Sequence, residues 1–296
     1  MTIKEARIII DKFNRNNNYS EDEEFEYIEA LDFMIKTTGE PRYMMMLGGY
    51  YYGQKDYDLA LKYYDMASEL GYDEADECLG YVWYYGRTGR KDYEKAFKHF
   101  SAAAKRGNIV AEYKIADMYK NGYFVEKDYD KYKEIIKGIY PKIKDTRYLG
   151  DPLPEVFTRL ARIRTEEGDQ EAAAKLYLQA KSFLGQRIMY NPFFGNLNIM
   201  KWLVEDLYKI VEPDPLEADL FDLYYWLTRP CSVTFRAKGK PHTVSCVEED
   251  GEYVIDYEGK WFRTVDDFFK KATAEGKLLT DLYTVLDDFV IREGDS

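Results

Sequence analysis

Histidine is nearly absent from this chain: only His99 and His242 occur among its 296 residues. Histidine-rich metal centres are thereby excluded, and imidazole acid–base chemistry has two places to reside. Cysteine is scarce too. Cys78, Cys231 and Cys246 are odd in number and widely spaced, with no C-x-x-C. A disulfide framework is excluded, and reduced thiols in a cytoplasmic protein are expected. Long apolar runs are missing. "MTIKEARIIIDKF" holds only Ile8 to Ile10 in sequence, against roughly 7–15 residues for a leader and about 20 for a membrane helix. Neither is expected there. Positive charge is in deficit, with 42 basic against 54 acidic residues and a net charge of −12. Residues 1–228 hold 32 basic against 40 acidic (−8), and 229–296 hold 10 against 14 (−4), so no basic lobe hides in the average. Nucleic acid and anionic membrane surfaces are excluded as partners, since both need a positive face. No G-x-G-x-x-G or G-x-x-x-x-G-K-[ST] occurs, and "AKGKP" is a hairpin turn rather than a phosphate loop. No cofactor is expected.

What is abundant is aromatic: 29 Tyr and 16 Phe. One aromatic motif recurs at a fixed interval. "KDY" starts at Lys55, Lys91 and Lys127. From Tyr93, offsets of 3, 10, 14 and 22 reach Ala96, Ala103, Gly107 and Ile115; from Tyr57 they reach Ala60, Ala67, Gly71 and Leu79. Counting from Tyr129 gives Tyr132, Ile139 and Ile143, a copy without the Ala pair or the Gly. Phe25 leads to Ile28, Ile35, Gly39 and Leu47, and Gln170 to Ala173, Ala180 and Leu184. A period in this range signals stacked supersecondary units.

Each copy reads as two helices. The first carries Leu47-Gly48, Leu79-Gly80, Ile115-Ala116 or Leu160-Ala161, with Tyr51, Trp83 or Tyr119 four residues after the first of each pair. Those offsets share one helical face. The second helix sets Ala60, Tyr63/Tyr64 and Ala67 in one stripe. Small residues let helix backbones approach while the aromatics fill the remaining volume. Asp56, Asp92 and Asp128 stand where an N-cap is needed, and Gly71 and Gly107 where a left-handed C-cap is needed. "SEDEE" after "NRNNN" reads as another capping segment. Leu79 to Tyr93 and Ile115 to Tyr129 are 14 residues, whereas Leu47 to Tyr57 and Leu160 to Gln170 are 10. The loop varies and the helical offsets do not, as expected of a helical hairpin array.

"ADECLGYVWYYG" (Ala75 to Gly86) followed by "KDYEKAFKHFSAAAKRG" (Lys91 to Gly107) resembles the Sel1-like repeat, a relative of the tetratricopeptide repeat. The tract from about 40 to 140 carries the resemblance well, and "LARIRTEEGDQEAAAKLYLQA" has the short turn of tetratricopeptide units. The resemblance implies a mainly α fold, a right-handed α-solenoid of helical hairpins used as a protein- or peptide-binding scaffold or adaptor. It names no partner and no oligomeric state.

A partner site on such an array belongs on residues the packing does not use. Offsets −2, +2 and +5 from the first-helix leucine point away from the packed face. They are Met45, Gly49 and Tyr52; Glu77, Tyr81 and Tyr84; Tyr113, Asp117 and Lys120; Thr158, Arg162 and Thr165. The candidate groove is therefore Tyr52, Tyr81, Tyr84, Tyr113, Asp117, Lys120 and Arg162. Tyrosine suits protein recognition because it offers large contact area at low entropic cost.

Repeats are expected over 1–185 and capping helices over 186–228. There "NPFFGNLN" is a bridge, helices span about 197–211 and 215–228, and "EPDP" breaks them. Residues 229–296 read as a small α+β domain. "CSVTFRA", "HTVSCVE" and "EYVIDYE" are three short strands joined by turns at "KGKP" and "EDG". A helix follows over about 264–275, then a short helix and a final strand or extended segment. Cys231, His242 and Cys246 offer three zinc-ligand types but lack the tight knuckle of a structural site. His99 reads as a packing or surface residue. The acidic runs read as solvated faces and helix starts, and no carboxylate pair stands out. A non-enzymatic scaffold is the leading expectation. An acidic inhibitor of a basic partner, and an enzyme with its site in the C-terminal domain, are the alternatives.

Overall fold

The computed structural model describes residues 1–15, 19–145, 153–191 and 194–294. The chain divides into two compact units, Met1–Ile135 and Ile136–Ser296, taken separately below.

The first unit is built from α1 (Ile3–Arg15), α2 (Glu21–Thr38), α3 (Pro41–Gly53), α4 (Tyr57–Glu69), α5 (Asp73–Tyr85), α6 (Tyr93–Lys105) and α7 (Ile109–Asn121), and contains the start of α8 (Tyr129–Ile143). The repeat arithmetic reappears as packing. Ala60, Ala67, Ala96 and Ala103 are fully buried, as are Leu47 and Leu79. A Cβ on Gly48 would stand 2.6 Å from the Tyr64 ring, and one on Gly80 would stand 2.5 Å from the Phe100 ring. Tyr64 and Phe100 both lie seven residues past their repeat's anchor tyrosine, so the same contact occurs in both units of the array. Gly71 (φ +80°) and Gly107 (φ +92°) close their helices, with Tyr72 N–H donating to Ala67 O and Asn108 N–H to Ala103 O. Ser20 and Glu23 form a reciprocal capping box at the start of α2.

The variable loop has a constant closure. Asp56 N–H donates to Tyr51 O at 2.9 Å, Asp92 N–H to Trp83 O at 3.0 Å, and Asp128 N–H to Tyr119 O at 2.9 Å. Each acceptor lies four residues beyond the repeat's Leu or Ile. The same aspartates then cap the second helix through Leu59 N–H, Lys95 N–H and Lys131 N–H. An insertion of four residues thus bulges outward between two pinned points.

The second unit contains the rest of α8, then α9 (Leu153–Glu166), α10 (Gln170–Tyr190), α11 (Phe194–Leu207), a 3₁₀ turn at Leu220–Asp222 and α12 (Leu223–Trp226). Asp169 repeats the double closure, donating to Arg164 O at 2.9 Å and capping Ala172 N–H. The α10 helix runs five residues past Gly185. At Gly185 a Cβ would lie 2.5 Å from the Tyr283 ring, so this glycine admits a neighbour rather than ending the helix. Residues 192 and 193 of the expected bridge lie outside the described residues.

The C-terminal region holds β1 (Cys231–Ala237), β2 (Lys240–Glu249), β3 (Glu252–Tyr257), β4 (Lys260–Phe262), α13 (Val265–Lys271), β5 (Thr273–Ala274), β6 (Lys277–Leu278), a 3₁₀ segment Leu279–Val285 and β7 (Leu286–Glu293). The expectation of three strands is corrected here: the sheet has five antiparallel strands in the order β4-β3-β2-β1-β7, with β5 and β6 as a separate small hairpin. The expected helix over 264–275 is shorter, because Ala272 is extended and Thr273 enters the hairpin. Two-residue turns at Lys238-Gly239, Asp250-Gly251 and Glu258-Gly259 have positive φ at both positions, the geometry that matches strand twist. Val233, Phe235, Val244, Cys246, Ile255 and Tyr257 form the buried face. On it, Tyr257 meets Phe268 of α13 edge-on at 5.7 Å.

Candidate functional site

Three first helices carry the candidate strip: α3, α5 and α7. Tyr81 and Tyr113 meet through their hydroxyls at 3.2 Å. Tyr52 is reached from the loop after α5: Arg87 Nε donates to its hydroxyl at 2.9 Å, and the Arg87 guanidinium lies 5.8 Å from the Tyr52 ring and 5.4 Å from the Tyr85 ring. Tyr85 stacks on Tyr81 at 5.8 Å with an interplanar angle of 6°. The order Tyr52, Arg87, Tyr85, Tyr81, Tyr113 is thus continuous across α3, α5 and α7.

The remaining expected residues are placed differently. Tyr84 is half-buried and meets Tyr93, Phe100 and Tyr123 at 5.7, 6.2 and 6.0 Å. Burial, with the Asp117 carboxylate adding to it, raises its phenol pKa well above the ordinary value. Asp117 and Lys120 are half-buried on α7, with the Lys120 ammonium 5.1 Å from the Tyr132 ring. Tyr113 is only 4% exposed. Arg162 belongs to the second unit, on α9, where Nε donates to Asp206 Oδ2 of α11 at 2.7 Å.

The offset rule missed the centre of the strip. Lys114 is 7% exposed. Its Nζ donates to the Tyr85 hydroxyl at 3.2 Å and lies 5.0 Å from the Tyr81 ring and 5.4 Å from the rings of Tyr84, Tyr85 and Tyr113. Four π-faces and one phenolic oxygen surround a single ammonium. A sequence signal was present: the position before Ile115 is Lys, whereas Met46 and Cys78 fill it in the two clean copies, the hairpins that pair Leu47 with Tyr57 and Leu79 with Tyr93.

Other polar groups cluster away from the strip. His99 is more than a packing residue: its Nδ1 bonds Asp76 Oδ1 at 2.8 Å, and the buried Asp76 carboxylate also accepts from Ser68 at 3.1 Å and from Arg106. That cluster ties α4, α5 and α6 together. His242 is 8% exposed, bonds Glu258 Oε1 at 2.7 Å and stacks on Phe235 at 5.7 Å. Cys231 and Cys246 are cross-strand partners with buried thiols, and burial raises the Cys231 pKa to about 11. Among the described residues no group of His, Cys, Asp and Glu is arranged to hold a metal. A cleft of about 620 Å³ opens beside β1 and β7, lined by Leu216, Asp219, Phe235, Asp287 and Phe289 among others. Asp219 at its wall belongs to a network with Lys181, Asp222, Tyr208 and Tyr283.

Hairpins closed at the same two bonds, stacked through the same small residues and capped by left-handed glycines define a helical-repeat protein of the class that generally serves protein interaction. Three of the repeats are Sel1 repeats: the Sel1 repeat model matches residues 41–72, 79–108 and 109–131. The crystal structure of a Sel1 repeat protein from Oxalobacter formigenes is similar over 67% of this chain and 75% of that one, at 22% identity and a TM-score of 0.52. A protective antigen of uropathogenic Escherichia coli displaying an SLR fold covers 69% of the chain, and yeast Tom70 covers 70%. Both are 17% identical with a TM-score of 0.38, and the match spans about half of each of those proteins. No curated protein sequence matches. Among the described residues no helix is long and apolar enough to cross a membrane.

Proposed function

We propose that the chain is a non-enzymatic scaffold that captures a protein or peptide on the tyrosine strip of α3, α5 and α7. The observation that carries this reading is the continuity of Tyr52, Arg87, Tyr85, Tyr81 and Tyr113 across three consecutive first helices. Tyr52, Tyr81 and Tyr85 bring this row to the surface while Tyr113 is buried, and such a row offers an extended segment contacts on neighbouring repeats. Residues 186–228 cover the last repeat in this reading, and 229–296 form a second interaction or regulatory module. The burial of His242 and the raised Cys231 pKa weigh against a catalytic pair in that module.

The test separates strip from core. Tyr52→Ala combined with Tyr85→Ala removes strip surface, while Tyr84→Ala opens the cluster with Tyr93, Phe100 and Tyr123 and costs about 2–4 kcal/mol. Tagged intact chains are expressed in their own cells and their captured proteins identified by mass spectrometry. The double variant is expected to keep its circular dichroism spectrum at the assay temperature, at a lower melting temperature because Lys114 loses the Tyr85 hydroxyl, and to lose one or more captured proteins by tenfold or more. Capture that is unchanged in the folded double variant overturns the strip reading.

A further inference from the structure

We infer that Lys114 is the receptor for a carboxylate: an Asp or Glu side chain of the bound partner pairs with its ammonium in the tyrosine strip. The inference rests on the strip reading and names the chemistry the partner must bring.

A lysine this buried ordinarily has a carboxylate within ion-pair distance. Lys114 makes no such pair among the described residues; its partners are the Tyr85 hydroxyl and the faces of four tyrosine rings. Ring quadrupoles stabilise the ammonium but carry no net charge, so among the described residues no carboxylate at ion-pair distance answers the lysine charge at the centre of the strip. Asp117, one turn further along α7, acts on the Tyr84 phenol.

Packing alone does not call for lysine here. The equivalent positions are Met46 and Cys78, half-buried residues of neutral character. A cation retained in a slot that neutral side chains fill elsewhere has work beyond filling volume. The way in is Tyr85, which is 44% exposed. Its oxygen accepts a hydrogen bond from Lys114 Nζ at 3.2 Å, so its own O–H is polarised and remains a donor. An arriving carboxylate accepts from that O–H and from the ammonium, giving two charge-assisted bonds at one site.

The probe is N-acetylglutamic acid α-amide, which carries only a side-chain carboxylate, titrated into the intact chain labelled with ¹³C at lysine. The Lys114 Cε signal is assigned by its disappearance in Lys114→Met. A saturable shift of that signal and of the Tyr85 ring signals is expected, with no shift from N-acetylglutamine α-amide or from sodium chloride at equal ionic strength. Tyr85→Phe keeps the ring, removes the donor and weakens the affinity by about tenfold. In Lys114→Met the Tyr85 shift vanishes. Equal responses to the acid and the amide, or a Tyr85 shift that persists in Lys114→Met, overturn the proposal. So does a response confined to N-acetylalanine, whose carboxylate is terminal. The two readings fail separately. Capture lost from the Tyr52/Tyr85 variant without any carboxylate response leaves the strip standing without the receptor. A carboxylate response with unchanged capture removes the strip as the docking surface.

Discussion

Gly48 and Gly49 are adjacent in the interior of α3, and they should respond to the same substitution with opposite signs. An added Cβ at Gly48 would sit 2.6 and 2.7 Å from two ring carbons of Tyr64, inside any real contact distance. At Gly49 the nearest atom is the Tyr64 hydroxyl oxygen at 3.9 Å, an ordinary contact. Alanine improves helix propensity at either position by up to about 1 kcal/mol. For Gly49→Ala nothing opposes that gain, so stability should rise by about 0.5–1 kcal/mol. For Gly48→Ala the Tyr64 ring, itself buried, must move by most of an ångström, and overpacking of that kind costs about 1–3 kcal/mol. The net is a loss of about 0–2 kcal/mol. The two variants should therefore differ by about 1–3 kcal/mol, or roughly 2–12 °C in melting temperature. Thermal unfolding by circular dichroism reads the difference without requiring two-state behaviour of the array. Tyr64→Leu in the Gly48→Ala background should recover part of the loss, as expected for residues in contact. A Gly48→Ala protein as stable as Gly49→Ala would refute close helix approach as the reason for the glycine.

Two further perturbations test separate parts of the chain. Lys55 precedes the cap of α4 with φ +63°, where the corresponding residue before Asp169 is Gly168 at φ +82°; Lys55→Gly should raise the melting temperature through relief of about 1 kcal/mol of left-handed strain, and a decrease would show that the lysine side chain matters more than its backbone. Lys181 is buried against Asp222 and Asp219. Burial pulls its pKa down, but the Asp222 and Asp219 carboxylates outweigh that and hold it above the ordinary lysine value. The sign follows: this stability is complete below about pH 10.5 and is lost as pH rises through the raised value. Lys181→Met leaves the buried Asp222 and the half-buried Asp219 without their cation and should cost about 3–5 kcal/mol at neutral pH. Asp219 already has its pKa raised by burial, so an orphaned Asp219 binds its proton more tightly folded than unfolded. The deficit of Lys181→Met should shrink as pH is lowered from 7 toward 5, which melting temperatures across that range will show. A deficit independent of pH would mean that lost packing, not buried charge, dominates.

Helical pairing was legible because it follows from spacing alone. Ala60, Ala67, Ala96 and Ala103 recur at fixed offsets and are all fully buried. The constant closure at Asp56, Asp92, Asp128 and Asp169 was visible only as a cap, since its second bond, to a carbonyl 5 or 9 residues back, leaves no side-chain signature. The sheet was legible where strands are central and alternate. β1 alternates buried with half-buried or exposed residues along its length, and β2 does so over His242–Cys246. β4 is three residues long, and β7 carries a bulge in which Asp288, at φ +53°, and Phe289 together oppose Phe235. A bulge shifts the parity of a strand, so a two-residue period cannot be followed through it. The expectation stopped at three strands where the period stopped.

The strip shows where offset counting ceases to work. Offsets from a leucine give the direction a side chain leaves its helix, and they do not say whether another helix has arrived there. Tyr84 and Tyr81 differ by three residues and share a helix face, yet Tyr84 packs against Tyr93 and Tyr123 while Tyr81 turns to Tyr113. The difference comes from the loop: Tyr123 lies in the long connection after α7, which the short repeats lack, and it stacks on Tyr93 at 4.3 Å beside Tyr84. An insertion that leaves the helical register untouched has thus brought an aromatic residue over one end of α5. Departures from the repeat carry more information about function than adherence to it. Arg87 lies in the other long loop, and Lys114 occupies a slot that is neutral in both clean copies. Both place cations among tyrosines within a chain of net charge −12. A global charge of that sign favours basic partners at long range, but within a Debye length of about 8 Å the local cation decides which side chain is accepted. Under the proposed carboxylate reading, the strip would select a partner by a carboxylate at close range, whatever the sign of its overall charge.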